Sequence, residues 1–325
     1  MSAPAGSRRP GVVAVWIAAL LLLVAAFAPL VANDVPLVAR IDGSYSFPAF
    51  TDCYATPAPP PVDMTWKRWW SRLPADGQDF AWMPPWPHGP YEVDFARANQ
   101  GPTWFHPLGT DEQGRDLLAR LVHGTRASLG IGVLAVLLGA LVGVLLGGMA
   151  GLCRGFVDAV VSRLVEVFLC FPILLFLMFG AAFFGSSWLA LVLVMASLFW
   201  TNFARIVRGE LLSLREREFV AVARGLGASP WRLLRGHLWP QLRSQVAVTA
   251  AFCVASAIVA ESTLSFLGLG PGASGTSWGT VLRQGSEQVY LAGWHSWGIP
   301  AAVIVGAVVL CHRLADRWRA VAPQS

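Results

Sequence analysis

The amino-acid sequence predicts an all-α polytopic membrane protein with six transmembrane helices. Of its 325 residues, 55% are apolar and 13% are charged, whereas about a quarter of the residues in a soluble domain are charged. Several apolar stretches approach the roughly 20 residues that a helix needs to cross a hydrocarbon core. The charged residues collect between these stretches, which argues against an ordinary soluble enzyme.

The apolar stretches define the predicted spans. They cover residues 12–32, 128–152, 160–184, 187–207, 244–268 and 297–315. The first stretch follows Arg8 and Arg9, as the apolar part of a signal peptide does. Residues 29–33 (PLVAN) lack a small-x-small cleavage site, so we expect an uncleaved first span.

The arginines predict the orientation, because the loops on the cytoplasmic side of a membrane carry the excess of basic residues. A cytoplasmic N-terminus places fifteen arginines inside: Arg8, Arg9, Arg154, Arg163, the eight from Arg205 to Arg243, Arg313, Arg317 and Arg319. The short outer loops then hold only Arg283. An even number of spans puts both termini in the cytoplasm.

This topology divides the chain into segments. They are a cytoplasmic N-terminus (1–11), the first span, an outer insert with a lead-in segment (33–127), a five-helix core (128–315) that contains an inner loop (208–243), and a cytoplasmic tail (316–325). The insert is dense in proline between residues 57 and 90, so we expect it to be largely irregular. Its tryptophans are typical of a segment that lies along the outer leaflet.

The composition argues against enzymatic chemistry in this chain. Lys67 is the only lysine, and its neighbours do not form the Gly-Lys-Ser/Thr of a phosphate-binding loop. If ATP drives this protein, another chain must hydrolyse it. The five cysteines form no CxxC pair, which argues against a zinc site. The six histidines form no HExxH motif or close cluster with carboxylates, so we expect neither catalytic residues nor metal ligands.

The second predicted span has small residues spaced by four. They are Ala135, Gly139, Gly143, Gly147 and Gly151. This spacing places them along one helix face, and small residues let two helix backbones approach closely in lipid. The stripe therefore predicts close helix packing.

Two carboxylates lie in the predicted spans, Glu166 in the third and Glu261 in the fifth. Ionisable residues at membrane depth usually face a partner or a wet cavity, so one hypothesis is a proton or substrate site. The other is a carboxylate near a helix end, bonded to a neighbouring helix or to Arg163. Pro172 should bend the third span.

The inner loop predicts a helix, a turn and a short helix just outside the membrane. Apolar residues recur at broken helical spacing over 211–226, Gly227 is a helix stop, and Ser229 and Pro230 begin the next helix, which Pro240 ends. A basic loop resting on anionic lipid accounts for the arginines. A docking element for a cytoplasmic partner accounts for the apolar residues as well.

This loop resembles the "EAA" coupling loop of ABC-importer permeases, whose pattern is E-A-A-x-x-x-G followed by I-x-L-P. Here residues 221–227 read AVARGLG and residues 238–240 read LWP, so Ala221 replaces the motif glutamate and Trp239 the usual leucine. The resemblance implies coupling to an ATPase subunit by this loop. The implied coupling residues are Glu218, Ala221, Ala223, Arg224, Gly227, Ala228, Ser229 and Pro240.

Three further segments resemble the C-type permeases for dipeptides, oligopeptides and nickel: HPLGTDEQGRDLLARLVHGTRASLGIG from His106, WTNFARIVRGELLSLREREFV, and ESTLSFLGLG. The stretch VANDVPLVARIDGSYSFPAF is similar to the microcin-C/Yej-type branch. The resemblance implies the fold of a type I ABC-importer permease in the bacterial inner membrane. It also implies a heterodimer with a second homologous permease subunit, two ATP-binding subunits that hold ATP and Mg, and a periplasmic substrate-binding protein, with no cofactor on this chain and no nucleic-acid partner.

Other functions remain as alternatives. The substrate class is oligopeptide, dipeptide or microcin-C-like, with nickel as the nearest rival. An ion-coupled secondary transporter would use Glu166 and Glu261 and often internal inverted repeats; we find no such repeat. A membrane enzyme would need clustered catalytic groups, which the sequence lacks.

Overall fold

The computed structural model describes residues 10–41, 44–50, 65–71, 79–153, 155–217, 239–271, 275–290 and 293–321. Its main helices are α1 (Pro10–Val31), α2 (Trp66–Trp70), α3 (Leu117–Cys153), α4 (Phe156–Leu169), α5 (Ile173–Phe184), α6 (Trp188–Arg215), α7 (Trp239–Phe266), α8 (Trp278–Glu287) and α9 (His295–Val321). Three short strands are β1 (Val38–Ile41), β2 (Ser44–Ser46) and β3 (Phe80–Trp82).

The chain forms two compact units. The core unit comprises Met1–Ala19, Gly130–Leu264 and Ile304–Ser325, and the insert unit comprises Leu20–Leu129 and Ser265–Val303. Long apolar helices contribute to both units. Helices α1, α3, α6, α7 and α9 are each long and apolar enough to cross a membrane.

Helices α3 and α6 of the core unit pack along the glycine stripe. A Cβ atom added at Gly139 would lie 3.0 Å from Phe199 Cβ, and one added at Gly143 would lie 2.6 Å from Phe203 Cβ. At the far end, a Cβ on Gly151 would lie 2.7 Å from Leu211 Cβ. Residue numbers increase in the same direction along both helices at this contact, so α3 and α6 are parallel.

The third predicted span consists of two helices. Helices α4 and α5 meet at an angle of 88°, and Pro172 is the N-cap residue of α5. The bend at Pro172 is confirmed, because proline disfavours helical backbone at the residue before it and donates no backbone hydrogen bond. This angle is much larger than the bend expected within a single continuous helix.

The bent pair lies between two parallel helices. Helix α4 begins just after α3 ends and contacts α6 at Arg208. Helix α6 begins with Trp188, whose ring lies 3.7 Å from a Cβ position on Gly130, near the other end of the stripe. Because α3 and α6 are parallel, the chain between them must travel back along their length. The described helices therefore provide five candidate spans, or six if the bent pair is one span.

The insert unit contains a small antiparallel sheet in the order β2-β1-β3. Ala39 of the central strand is paired with Ser46 and with Ala81. It packs in a buried cluster with Val35 and Trp66. The sequence analysis expected a largely irregular insert, and this small sheet is a regular element that it did not predict. Its strands are too short for an alternating pattern to be recognised.

Helix α8, between the fifth and sixth spans, was also not predicted. The indole Nε1 of Trp278 donates to Leu121 O at 3.1 Å, and its backbone N–H donates to Ser128 Oγ at 3.1 Å. Trp278 is fully buried, and Gly124 leaves room for the ring, since a Cβ there would lie 3.0 Å from Trp278 Cδ1. Helix α8 is thereby fixed to the first turns of α3.

The helix of the second span extends beyond the predicted span. Helix α3 begins at Leu117 rather than at residue 128, because Asp116 accepts a hydrogen bond from Ala119 N at 2.7 Å and caps the helix. Similarly, α6 continues to Arg215 and α7 is helical from Trp239, so both helices extend into the predicted inner loop 208–243.

The glycine stripe predicts different effects for two alanine substitutions in α3. Gly143→Ala should lower the free energy of unfolding by about 1–3 kcal/mol, because its methyl group overpacks against α6. Gly148→Ala meets nothing within 4 Å and should be neutral or stabilising by up to about 1 kcal/mol. Thermal unfolding in detergent measures both, and equal midpoints for the two variants would contradict the packing.

Candidate coupling site

Most of the predicted coupling residues, from Glu218 to Ser229, lie outside the described residues, which stop at 217 and resume at 239. The eighth, Pro240, is the second residue of α7 as described. The sequence analysis had placed Pro240 at the end of a short helix, whereas the structure includes it in the helix of the fifth span. The site can therefore be built from its two flanks.

The first flank is the end of α6, which Arg215 attaches to the end of α3. Arg215 Nη1 donates to Gly151 O at 2.9 Å and to Leu152 O at 3.1 Å. These carbonyls belong to the last turn of α3, where a helix has no internal donors for them. A cation at this end also interacts favourably with the helix dipole.

A second arginine of α6 attaches this helix to α4. Arg208 Nη2 donates to Asp158 Oδ2 at 3.0 Å, and its Nε donates to Asp158 Oδ1. Asp158 lies in the first turn of α4, where a carboxylate is favoured by the helix dipole. The two side chains are 35% and 21% exposed.

The other flank is the start of α7. Leu242 is buried in one apolar cluster with Val207, Leu211 and Leu214 of α6. Val144 and Leu152 of α3 pack against the same cluster. Both ends of the segment 218–238 therefore emerge from one packed junction of three helices.

Among the described residues, Glu166 pairs within its own helix. Its Oε2 lies 2.7 Å from Nη1 of Arg163, three residues earlier on α4, and the two side chains are 61% and 80% exposed. This is the ion pair that the second hypothesis expected. Such exposed pairs contribute little to stability.

Glu261 is buried, with 1% of its surface exposed, within α7. A carboxylate at this depth is costly unless it is bonded. The structure does not bring Glu166 and Glu261 together, since one is exposed on α4 and the other is buried on α7.

An apolar cavity of about 1110 Å³ opens at the bend between α4 and α5. Phenylalanines dominate its wall: Phe168, Phe171, Phe176, Phe179, Phe183 and Phe184. Ser187 and Ser197 are the polar residues among those that line it. Its chemistry suits hydrocarbon and offers no group for proton transfer.

The insert unit has its own charged cluster, which sequence analysis missed. Asp111 Oδ2 accepts from Arg115 Nε at 2.7 Å and from Arg120 Nη1 at 2.6 Å. Gln284 of α8 accepts from both arginines, at 3.2 and 2.5 Å. Arg120 is 3% exposed. The cluster joins the lead-in loop, α3 and α8.

A second cluster fixes the insert to the cap of α3. Asp116 accepts from Trp86 Nε1 at 3.0 Å and lies 2.8 Å from His106 Nδ1. The rings of His106 and His88 are 4.7 Å apart. Asp116 therefore joins the cap of α3 to both the 86–88 and the 103–106 segments.

Lys67 extends this cluster to α2. Its Nζ lies 2.5 Å from Glu92 Oε2 and 3.1 Å from His88 Nδ1. Burial raises the pKa of Glu92, but hydrogen bonds from His88 and Lys67 outweigh burial and lower that pKa to about 2. Because the pKa of Glu92 is lower in the folded state, its carboxylate stabilises the fold fully above pH 4.5, the pKa in the unfolded state. This contribution is lost as the pH falls from 4.5 through about 2.

These partners could not be found from the sequence, because Asp158 and Arg208 lie 50 residues apart and Arg120 and Gln284 lie 164 apart. The one available signal was the spacing of Arg208 and Arg215. Seven residues place both on the same face of α6.

The fold and the site define a class of protein. It is a multi-pass helical membrane protein in which three helices pack together at one end, where a loop leaves one helix and enters another. A solved structure shares the fold. It is a chain of the MetNI methionine ABC transporter in an inward-facing conformation, with a TM-score of 0.54 and 20% identity, covering 63% of this chain and 97% of that one.

A family model described as the binding-protein-dependent transport system inner membrane component matches residues 143–321. The chain belongs to this family and is a permease subunit of the ABC-importer type. A peptide permease protein of Brucella suis is 37% identical over 234 residues, 72% of this chain and 78% of the relative. The oligopeptide permease OppC of Escherichia coli K12 is 40% identical over 205 residues, 62% and 68%, and the glutathione permease GsiD of Pectobacterium atrosepticum is 33% identical over 234 residues, 71% and 77%.

The insert-unit cluster predicts a large effect for loss of one carboxylate. Asp111→Ala leaves Arg115 and Arg120 buried against each other and should lower the free energy of unfolding by about 3–5 kcal/mol. Glu287→Ala removes an exposed pair with Arg283 on α8 and should change it by at most about 1 kcal/mol. Thermal unfolding of both variants checks this, and a small effect of Asp111→Ala would contradict the assigned pairing.

Proposed function

We propose that this chain forms half of the peptide translocation path of an ATP-driven importer in the bacterial inner membrane. A second homologous permease subunit forms the other half, two ATP-binding subunits bind ATP and Mg and hydrolyse ATP, and a periplasmic binding protein delivers the substrate. The relatives named as peptide, oligopeptide and glutathione permeases support this substrate class. Glutathione is itself a tripeptide, so short peptides are common to all three names.

The observation that carries the proposal is the common base of the segment 218–238. Arg215 ties the end of α6 to α3, and Leu242 packs the start of α7 against α6. A displacement of this segment would therefore act on three packed helices. Packed helices move as bodies, which is the motion that alternating access requires.

Within that segment, we assign docking on the ATP-binding subunit to Glu218, Ala221, Ala223, Arg224, Gly227, Ala228 and Ser229, with Pro240 at the start of the fifth span. Apolar side chains would enter a groove while the arginines remain at its rim. Ala221 stands where related loops have a glutamate, so the docking rests on shape more than on a single ion pair.

The proposed orientation places both termini in the cytoplasm and the insert in the periplasm. Arg163, Arg208 and Arg215 all lie near the end of the core unit where α3 ends and α4 begins. An excess of arginine at one end favours the cytoplasm. Six crossings return the C-terminus to the side of the N-terminus.

Deletion of 221–230, or Gly227→Asp, should abolish ATP-dependent uptake while the protein still inserts. The measurement is uptake of a radiolabelled tripeptide by proteoliposomes with the complete transporter, with glutathione and Ni²⁺ assayed in parallel. Gly148→Ala serves as the inserted control. Normal uptake by a deletion variant that inserts into the membrane would refute the coupling role. If the transporter takes up Ni²⁺ but no peptide in the presence of ATP, the substrate class is nickel rather than peptide.

The orientation is tested at Ser71, which is exposed. In a background without the native cysteines, Ser71→Cys should react with a membrane-impermeant maleimide added to the periplasmic side. Ser213→Cys, exposed near the end of α6, should react only from the cytoplasmic side. The opposite labelling pattern would overturn the topology.

A further inference from the structure

We propose that Arg208 and Arg215 are positioning residues that transmit the movement of the segment 218–238 to α3 and α4. The inference rests on the proposed function, because it concerns how movement of the loop reaches the transmembrane helices. Both arginines lie on one face of α6, two helical turns apart. Their partners, Asp158 and the carbonyls of Gly151 and Leu152, lie on opposite sides of the short turn between α3 and α4.

The two contacts have the geometry of a directional connection. Arg208 meets both carboxylate oxygens of Asp158 through two nitrogens, so the pair resists rotation as well as separation. Arg215 Nη1 meets two successive carbonyls of α3. Lysine has a single compact ammonium group and reproduces neither the fork nor its fixed plane.

The apolar contacts along the glycine stripe hold α6 close to α3, but dispersion contacts between apolar atoms are individually weak. The polar bonds of Arg208 and Arg215 add stronger, directional contacts at one end of the stripe. A displacement of α6 by the loop therefore moves the end of α3 and the start of α4 with it.

A matched control lies on the same helix as Asp158. Arg163 pairs with Glu166 within α4 and is 80% exposed. The Arg163 pair has the same chemistry as the Arg208 pair and lies on the same arginine-rich end, but it joins no two helices. Removing it changes charge without changing an interhelical contact.

The experiment uses the complete transporter, with both permease subunits, the ATP-binding subunits and the binding protein, in proteoliposomes. Tripeptide uptake and ATP hydrolysis are measured together for Arg208→Gln, Arg215→Gln, their double variant and Arg163→Gln. The double variant should assemble and hydrolyse ATP like the wild type, while peptide taken up per ATP falls by about tenfold, the size expected for loss of a charge-assisted hydrogen bond. Arg163→Gln should leave the ratio unchanged.

The lysine variants Arg208→Lys and Arg215→Lys keep the positive charge. They test whether a loss of uptake comes from a failure of the transporter to assemble. They should assemble and show a smaller loss of uptake per ATP. An unchanged ratio in the double glutamine variant overturns the inference and leaves the proposed function intact. Loss of assembly in the lysine variants also overturns it, since the arginines would then be structural. A wild-type transporter without ATP-dependent tripeptide uptake overturns both proposals.

Discussion

The close approach of α3 and α6 is the constraint on which the rest of the core unit depends. Within a bilayer, lipid is as apolar as a leucine side chain, so helices associate through packing rather than through exclusion of water. The glycines from Gly139 to Gly151 allow this packing along the whole contact. Because the two helices are parallel, the chain through α4 and α5 must return along their length.

The parts of this fold that the sequence predicts are those set by local composition. Apolar stretches identify the spans because desolvation of a side chain does not depend on its partner. The stripe from Gly139 follows from helical spacing alone. The start of α3 follows a local cap at Asp116. The sheet around Ala39 and the burial of Trp278, in contrast, depend on partners far along the chain, which no local pattern indicates.

The arginines show the same division. In the sequence they indicate which end of a span faces the cytoplasm, and Arg208 and Arg215 count there like any other. Their bonds to Asp158 and to the end of α3 are tertiary contacts. The coupling segment is predicted by resemblance, whereas the base that holds it emerges only when the helices are assembled.

Arginine serves two different mechanical purposes in the two units. Arg120 is almost fully buried with Asp111, and breaking such a pair leaves an uncompensated charge at a cost of about 3–5 kcal/mol. The Arg208 pair is partly exposed, so it contributes less to stability than a buried pair does. The insert-unit cluster is thus suited to holding the fold together. The contacts at the base of the coupling segment join α6 to α3 and α4, so their proposed role is to carry a displacement of α6 to those helices.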